Sequence, residues 1–160
     1  MKVMLTGGTG FIGGHLLRAL TSAGHDVRLL VRDAENLERM IGLQGIEAEV
    51  DYVIGDMVDP ATVQASLEGC DACIHAAAFT SLDPSLMDQA LAINGPGAQL
   101  ILDTAHQQGC DPIIHVSTMS VIFPPSGDLL SGEDPVHGGG NPYNASKAVA
   151  EEHARSMQAD

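Results

Sequence analysis

The most constraining stretch of the sequence is the segment Thr6–Gly13, which reads Thr-Gly-Gly-Thr-Gly-Phe-Ile-Gly. It follows the short apolar run Val3–Leu5, which is typical of a buried strand. It precedes apolar residues spaced as on one face of a helix, namely Ile12, Leu16, Leu17 and Leu20. The segment is therefore predicted to be a tight turn from a strand into a helix.

Three glycines in this turn, Gly7, Gly10 and Gly13, predict a dinucleotide-binding loop. Glycine lets the backbone turn tightly, lets a pyrophosphate approach without meeting a Cβ, and lets the helix lie close to the strand. The free N–H groups and the positive end of the helix dipole then face the anion. Phe11 and Ile12, in the same loop, are included among the predicted cofactor-binding residues.

Length and charge narrow the class of protein. With 160 residues and 44% hydrophobic content, the chain can bury one core, and we expect residues 1–160 to form one domain. A formal charge of −14 argues against a broad basic surface for nucleic acid or an anionic membrane, so a small-molecule substrate is the expected partner. Without a transmembrane-length apolar run or a secretion-signal pattern, we expect a cytoplasmic protein.

Cysteine usage predicts no redox or metal centre. Cys70 and Cys73 form a Cys-x-x-Cys pair, which is compatible with redox chemistry. However, Cys73 lies inside an apolar strand pattern and no helix start follows it. Because Cys110 is isolated, reduced structural thiols are expected, and no metal ligands are assigned.

Strand and helix patterns alternate along the rest of the chain. Strands are predicted at 3–5, 27–31, 50–54, 72–76 and 113–116, and helices at 34–41, 61–67 and 86–108. This alternation predicts an α/β fold with a doubly wound parallel sheet of the Rossmann type, strand order 3-2-1-4-5, with helices on both faces and ligands at the carboxyl ends of the strands. Pro96 is expected to kink or restart the longest helix, with Asn94 and Gly95 marking a break or a new first turn. The Pro- and Gly-rich stretch 123–142 is predicted to be a mobile loop.

The end of the second strand bears on cofactor choice. An arginine there can bind the 2′-phosphate of NADP, whereas a carboxylate there accepts from the ribose 2′-hydroxyl of NAD. The strand ends Val31-Arg32-Asp33. Arg32 favours NADP, and Asp33 leaves NAD open as the alternative.

Further cofactor contacts are expected after the third and fourth strands. Asp56, with Met57 beside it, could accept from an adenine amino group or could instead cap a turn before the next helix. The small residues Ala76, Ala77 and Ala78 would let a cofactor lie against the backbone. His75 is interpreted as a packed strand histidine.

Tyr143 and Lys147 are the candidate acid–base pair. They lie four residues apart in a helix-forming segment that follows Pro142, so their side chains share one helix face. A phenol is a weak base at neutral pH, and a lysine stabilises the phenolate only in a partly desolvated site. Thr118, after the fifth strand, could hold the substrate oxygen through its hydroxyl. The alternative is an ordinary helix with a tyrosine packed at its start.

Together these residues resemble the extended short-chain dehydrogenase/reductase family. The glycine loop, Gly55-Asp56, His75-Ala-Ala, Ser117-Thr118 and Tyr143-x-x-x-Lys147 match its motifs in order. The resemblance implies that Tyr143 is the general acid/base, that Lys147 binds the cofactor ribose and assists the tyrosine, and that Thr118 orients the substrate. Asn94 matches the Asn-x-x-Gly stretch of the family and is included with the cofactor-binding residues.

Two departures from the family pattern shape the functional expectation. Sugar-nucleotide dehydratases carry an Asp-Glu pair where this chain has Met119-Ser120, and the usual Tyr-Gly is Ile122-Phe123 here. These changes argue against dehydration and favour a less sugar-like alcohol or ketone. The expected function is NAD(P)-dependent hydride transfer with a secondary alcohol or ketone. The alternatives are a sugar-nucleotide epimerase of the same family and a non-catalytic dinucleotide-sensing module.

Family members are longer than this chain and add a C-terminal substrate region, so we expect residues 1–160 to be the cofactor-binding part. An unpaired edge on the fifth strand would favour either self-association into a homo-oligomer or local disorder.

Overall fold

The computed structural model describes residues 1–158, which fall into two compact units. The first unit comprises residues 1–77 and 100–116. The second comprises residues 78–99 and the described residues from Ser117 onward. The chain therefore leaves the first unit, returns to it and leaves it again.

A five-stranded parallel sheet forms the centre of the first unit. Its strands are β1 (Lys2–Thr6), β2 (Asp26–Val31), β3 (Asp51–Ile54), β4 (Ala72–His75) and β5 (Ile113–His115). Their order is β3-β2-β1-β4-β5, and every neighbouring pair is parallel. The predicted Rossmann-type order is confirmed, and β5 is one of the two edge strands.

The first unit contains the helices α1 (Phe11–Ser22), α2 (Ala34–Gln44) and α3 (Pro60–Leu67), and an aspartate caps the start of α2 and of α3. Asp33 caps α2 by accepting from the Glu35 amide, and Asp59 caps α3 by accepting from the Ala61 amide. These caps explain why the two helices start directly after their loops.

Side chains alternate between the two faces of the sheet. On one face, Val3 and Leu5 of β1 pack with Leu17 of α1 and Leu37 of α2. On the alternate positions of β2, Arg28 donates to the carbonyls at the end of α3, at 2.7 Å to Glu68. Helices therefore cover both faces of the sheet, as expected for a doubly wound fold.

The second unit contains most of helix α4 and all of helix α5. Helix α4 (Met87–Gln107) crosses into the first unit at Leu100, and α5 (Pro142–Met157) follows a long irregular segment. Single 3₁₀ turns lie at Pro84–Leu86 and Met119–Val121. Asn141 caps α5 by accepting from the Asn144 amide at 2.9 Å.

The predicted break in α4 is wrong, because the helix continues through Pro96. A proline removes one backbone hydrogen bond, but helical backbone continues on both sides of Pro96. The side chain of Asn94 is buried within the unit instead of ending the helix. The boundaries of the other predicted helices and strands agree with the structure to within a few residues.

The segment 122–141 contains no helix or strand, and its predicted mobility stays a prediction. It is anchored by Asp134, which is buried and accepts from the amides of Ser126 at 2.7 Å and Ser131 at 2.8 Å. These two amides hold the pKa of the Asp134 carboxyl below its ordinary value.

The three cysteines are buried and unpaired with one another, as the sequence predicts. Burial raises the pKa of each thiol, so all three are poor nucleophiles. Within residues 1–158, no helix is both long and apolar enough to cross a membrane.

Candidate active site and cofactor loop

The glycine loop of the first unit is packed so closely that two of its glycines cannot carry a side chain. Gly7 has φ +76°, and a Cβ there would lie 2.8 Å from the backbone of Ala76 and Ala77. A Cβ on Gly13 would collide with the carbonyl oxygen of Gly7. Because Gly7 and Gly13 have no side chain, the start of α1 and the end of β4 can lie against the loop. A pyrophosphate cradle requires this arrangement.

Helix α1 begins with its first-turn amides uncapped by any side chain. Its N-cap is Gly10, which has extended backbone angles and no side chain to accept from those amides. Phe11 and Ile12 follow, with 80% and 57% of their surfaces exposed. The helix therefore presents N–H donors and the positive end of its dipole, as anion binding requires.

The hydroxyl of Thr6 ties the end of β1 to the exit of β4. Its oxygen accepts from the amide of Ala76 at 3.2 Å and from the amide of Ala77 at 3.1 Å. The same oxygen lies 2.7 Å from Nδ1 of His75. The expected cofactor wall at Ala76 and Ala77 is thus held to the strand that leads into the glycine loop.

At the end of β2, the neighbouring charged residues Arg32 and Asp33 differ in their hydrogen bonding. The carboxylate of Asp33 accepts from the Glu35 amide at 2.9 Å and from the Asn36 side-chain amide at 2.7 Å. Arg32 is exposed and forms no hydrogen bond or ion pair within the described residues. The guanidinium is therefore available to a ligand, whereas Asp33 serves as a helix cap.

Asp56 follows β3 in a tight turn. One carboxylate oxygen accepts from the amide of Val58 at 3.2 Å, so the turn-capping interpretation has a specific contact. Met57 beside it is buried. A side chain at Gly55 would collide with Thr62, which explains the glycine before this aspartate.

Lys147 of α5, in the second unit, is buried to 3% exposure. Burial lowers its pKa from 10.5 to about 8, and the carboxylate of Glu151, one turn further along α5, acts in the opposite direction. Tyr143 lies one turn before Lys147 in the first turn of the same helix, half-buried. Its amide donates to the carbonyl of Ser81 at 3.2 Å.

Thr118 belongs to a short chain of polar side chains. It caps the 3₁₀ turn that follows, and its hydroxyl lies 3.0 Å from the hydroxyl of Ser120. Ser120 donates its own proton to the side-chain oxygen of Asn144, next to Tyr143, at 2.8 Å. In this arrangement the hydroxyl proton of Thr118 is directed to Ser120, and its oxygen is linked to the first turn of α5.

Asn94 is buried at 2% exposure, and its side-chain amide is bonded to protein groups. Its oxygen accepts from the Phe79 amide at 2.6 Å, and its nitrogen donates to the Phe79 carbonyl and to the Ser146 hydroxyl, each at 2.8 Å. Ser146 in turn donates to the carbonyl of Pro142 at 2.7 Å. These bonds fix the start of α5, on which Tyr143 and Lys147 lie.

A second anchor joins the irregular segment to α5. Arg155 donates to the carbonyl of Asp134 at 2.8 Å and pairs with Glu151 at 2.7 Å. Glu151 is the carboxylate that acts on Lys147. The segment 122–141 is therefore connected through two charged residues to the surroundings of the buried lysine.

The predicted site residues divide between the two units. The first unit contains most of the predicted cofactor-binding residues: Gly7, Gly10, Phe11, Ile12, Gly13, Arg32, Asp56, Met57, Ala76 and Ala77. The second contains Ala78, Asn94, Thr118, Tyr143 and Lys147. Sequence reasoning missed the supporting polar residues Ser120, Ser146, Asp134 and Arg155. Of these four, only Ser146 could have been suggested by the sequence, because it lies between Tyr143 and Lys147.

The fold and these two groups of residues define a Rossmann-type protein with a dinucleotide loop and a helix that carries a Tyr–Lys pair. The profile of the NAD-dependent epimerase/dehydratase family matches residues 3–160. The chain therefore belongs to this family, and the resemblance to extended short-chain dehydrogenases/reductases is confirmed.

Individual relatives show the range of the family. The chain is 33% identical over 122 residues to a 4-hydroxy-2-methyl-3-oxo-4-farnesyl-3,4-dihydroquinoline-1-oxide ketoreductase of Stigmatella aurantiaca, covering 76% of this chain and 35% of the relative. It is 32% identical over 162 residues to the dTDP-glucose 4,6-dehydratase of Streptomyces antibioticus, covering 94% of this chain and 47% of the relative.

A similar solved structure is that of a DesIV double mutant, a dTDP-glucose 4,6-dehydratase from Streptomyces venezuelae with NAD and DAU bound. It superimposes with a TM-score of 0.82 at 28% identity, over 99% of this chain and 52% of that chain. The chain thus spans about half the length of the solved structure and less than half of the two curated relatives.

Proposed function

We propose that this chain supplies the cofactor-binding and acid–base parts of an NAD(P)-dependent oxidoreductase acting on a secondary alcohol or ketone. The observation that carries the proposal is the buried Lys147, one turn after Tyr143, with its pKa lowered to about 8. A buried ammonium group is costly, and such groups are concentrated at functional sites. A tyrosine packed at the start of an ordinary helix would not require one.

The residues of the first unit fit a dinucleotide. The cradle at Gly7 and Gly13, which a Cβ would fill, and the uncapped start of α1 are suited to a pyrophosphate. Arg32, Asp56 and the Ala76–Ala78 stretch are proposed to contact its 2′ group, adenine and nicotinamide half, respectively. When bound, the reduced cofactor supplies the hydride that adds to a carbonyl carbon.

The chain's own residues transfer the proton to and from the substrate oxygen. Tyr143 donates its phenolic proton to the carbonyl oxygen during reduction and takes it back during oxidation, as a general acid and base. Lys147 stabilises the resulting phenolate by its charge in a desolvated setting and binds the cofactor ribose. Thr118 is proposed to turn its hydroxyl proton from Ser120 to the substrate oxygen when substrate binds, and Asn94 contributes through the bonds that fix α5.

NADP is the proposed cofactor, with NAD as the alternative. The free guanidinium of Arg32 and the engagement of Asp33 as a helix cap support NADP. NAD is favoured by the solved dehydratase structure. Replacing Arg32 with Ala should weaken NADPH binding more than tenfold and leave NADH binding nearly unchanged, because only NADPH carries the 2′-phosphate. Arg18→Ala on the exposed face of α1 is the control, and equal losses for both cofactors would remove the preference.

The proposed substrate is an apolar ketone or alcohol. In the second unit, Leu82, Met119 and Phe123 expose 71%, 67% and 62% of their surfaces, and Met119 follows Thr118 directly. Exposed apolar side chains beside polar reacting groups suit an apolar ligand. The similar ketoreductase of Stigmatella aurantiaca, whose name specifies a farnesyl-bearing compound, agrees with this class.

A sugar-nucleotide epimerase of the same family is the second candidate, favoured by the similarity of the chain to two enzymes named for a sugar nucleotide, the Streptomyces antibioticus dehydratase and DesIV. The experiment measures NADPH and NADH consumption with cyclic apolar ketones, and conversion of UDP- and dTDP-hexoses, for the wild type and Tyr143→Phe. The phenol-free variant should keep cofactor affinity and lose at least a hundredfold in rate. Equal rates in the two proteins would refute the catalytic role. Cofactor binding with no turnover of any substrate would instead favour a dinucleotide-sensing module.

A further inference from the structure

The hydroxyl of Thr6 has three polar neighbours, and their chemistry assigns the position of its proton. The amides of Ala76 and Ala77 can only donate, and they occupy the two acceptor positions of the hydroxyl oxygen at 3.2 Å and 3.1 Å. The third neighbour is Nδ1 of His75 at 2.7 Å. The Thr6 proton must therefore point to Nδ1, which must be an acceptor.

This assignment determines the state of His75. An imidazolium carries protons on both nitrogens, and the other neutral tautomer carries its proton on Nδ1. In either form the Nδ1 proton and the Thr6 hydroxyl proton would face each other between atoms only 2.7 Å apart. His75 is 1% exposed, and its ring stacks on His115 with centroids 5.3 Å apart. The ring of His75 is therefore held in a buried, stacked position beside the Thr6 hydroxyl.

We propose that His75 is a positioning residue for the cofactor loop: as the neutral imidazole protonated on Nε2, it orients the Thr6 hydroxyl, which fixes the Ala76 and Ala77 amides beside Gly7. The backbone at this point lies where a Gly7 Cβ would be only 2.8 Å away, so a small displacement would change the cradle itself. All of these groups belong to the first unit. The effect on cofactor binding rests on the proposed function, whereas the tautomer does not.

The tautomer is tested directly in the wild-type protein without cofactor. Long-range proton–nitrogen NMR correlations of the histidine rings distinguish a pyridine-type Nδ1 from a pyrrole-type Nδ1. His75→Asn identifies the signal, because it removes one ring. A bare Nδ1 with a protonated Nε2 is expected at pH 7. A protonated Nδ1 would overturn the proposal whatever the protein binds.

The positioning role is tested by calorimetric titration of matched variants with NADPH. Thr6→Ser keeps the hydroxyl and should bind as the wild type does, whereas the isosteric Thr6→Val leaves two amides unpaired and should bind about tenfold more weakly. His75→Leu should also weaken binding about tenfold, and His75→Asn, whose side-chain oxygen can accept near the Nδ1 position, should recover part of the loss.

Because His75 acts through Thr6, the double variant Thr6→Val/His75→Leu should bind no more weakly than Thr6→Val alone. Additive losses, or equal affinity of His75→Leu and wild type, would overturn the positioning role. Thermal unfolding of each variant separates loss of binding from loss of folding. If the folded wild type binds neither NADPH nor NADH, the proposed function fails, and the NMR result still decides the tautomer.

Discussion

Replacing Lys147 with Met should make the protein more stable while it removes activity. The lysine is 3% exposed, and burial lowers its pKa from 10.5 to about 8. Methionine retains most of the apolar stem and carries no charge that must be desolvated. Glu151 keeps its pairing with Arg155 at 2.7 Å, so the substitution does not leave that carboxylate without a cation.

The magnitude follows from the difference between the two pKa values. Each pH unit corresponds to about 1.4 kcal/mol, so the difference between 10.5 and about 8 corresponds to about 3 kcal/mol. Below pH 8 the lysine is charged in both folded and unfolded states, and the folded state bears this cost in full. Between pH 8 and 10.5 the unfolded state binds more protons than the folded state, so wild-type stability rises with pH relative to the variant.

The assay is urea unfolding followed by circular dichroism at pH 7, 8.5 and 10.5 for wild type and Lys147→Met. The variant should exceed the wild type by up to about 3 kcal/mol at pH 7, and the gain should shrink towards zero at pH 10.5. Groups common to both proteins cancel in this difference. Lys2→Met is the control: Lys2 is paired with Asp51 at 3.1 Å near the surface, and its replacement should give no gain. A variant no more stable than the wild type at pH 7, or a gain independent of pH, would refute the reasoning.

Three further predictions concern packing and the anchors of the second unit. Gly13→Ala should destabilise the protein by about 1–3 kcal/mol and weaken NADPH binding, because the added Cβ would collide with the Gly7 carbonyl. Gly42→Ala is the control: it lies in an open position of α2 and should stabilise the protein by about 0.5–1 kcal/mol. Urea unfolding measures both changes. Asn94→Ala removes three buried hydrogen bonds and should cost about 2–4 kcal/mol in the same assay, with a loss below 0.5 kcal/mol contradicting its anchoring role. Asp134→Ala should increase the rate of limited proteolysis within 122–141, since the carboxylate holds two amides of that segment; unchanged cleavage would show that other contacts hold it.

Much of the fold could be predicted from the sequence because its causes are local. Apolar runs and turn residues place β1 to β5, and the glycines at 7 and 13 reflect close backbone approaches that exclude any Cβ. The alternation of strands and helices then implies parallel pairing, since each crossover returns the chain in the same direction. The position of the Tyr143–Lys147 pair on one helix face follows from helical spacing alone.

The roles that needed the three-dimensional structure depend on partners far apart in the chain. Asn94 bonds to Ser146, 52 residues later, and Thr6 bonds to His75, 69 residues later. The sequence marks Asp33 as a candidate ribose ligand but does not show that it caps α2, because only the conformation of the following turn shows which donors its oxygens meet. A proline inside a helical pattern predicts a break, yet α4 continues through Pro96.

Lys147 shows most clearly which properties can be read from the sequence and which depend on the folded structure. Its place in a Tyr-x-x-x-Lys pattern can be read from the chain, but its lowered pKa comes from the water that folding excludes around it. Local spacing determines which side chains share a face, because a helix repeats the same geometry anywhere. Desolvation and donor–acceptor pairing depend on everything packed against that face, so they exist only once the distant segments have come together.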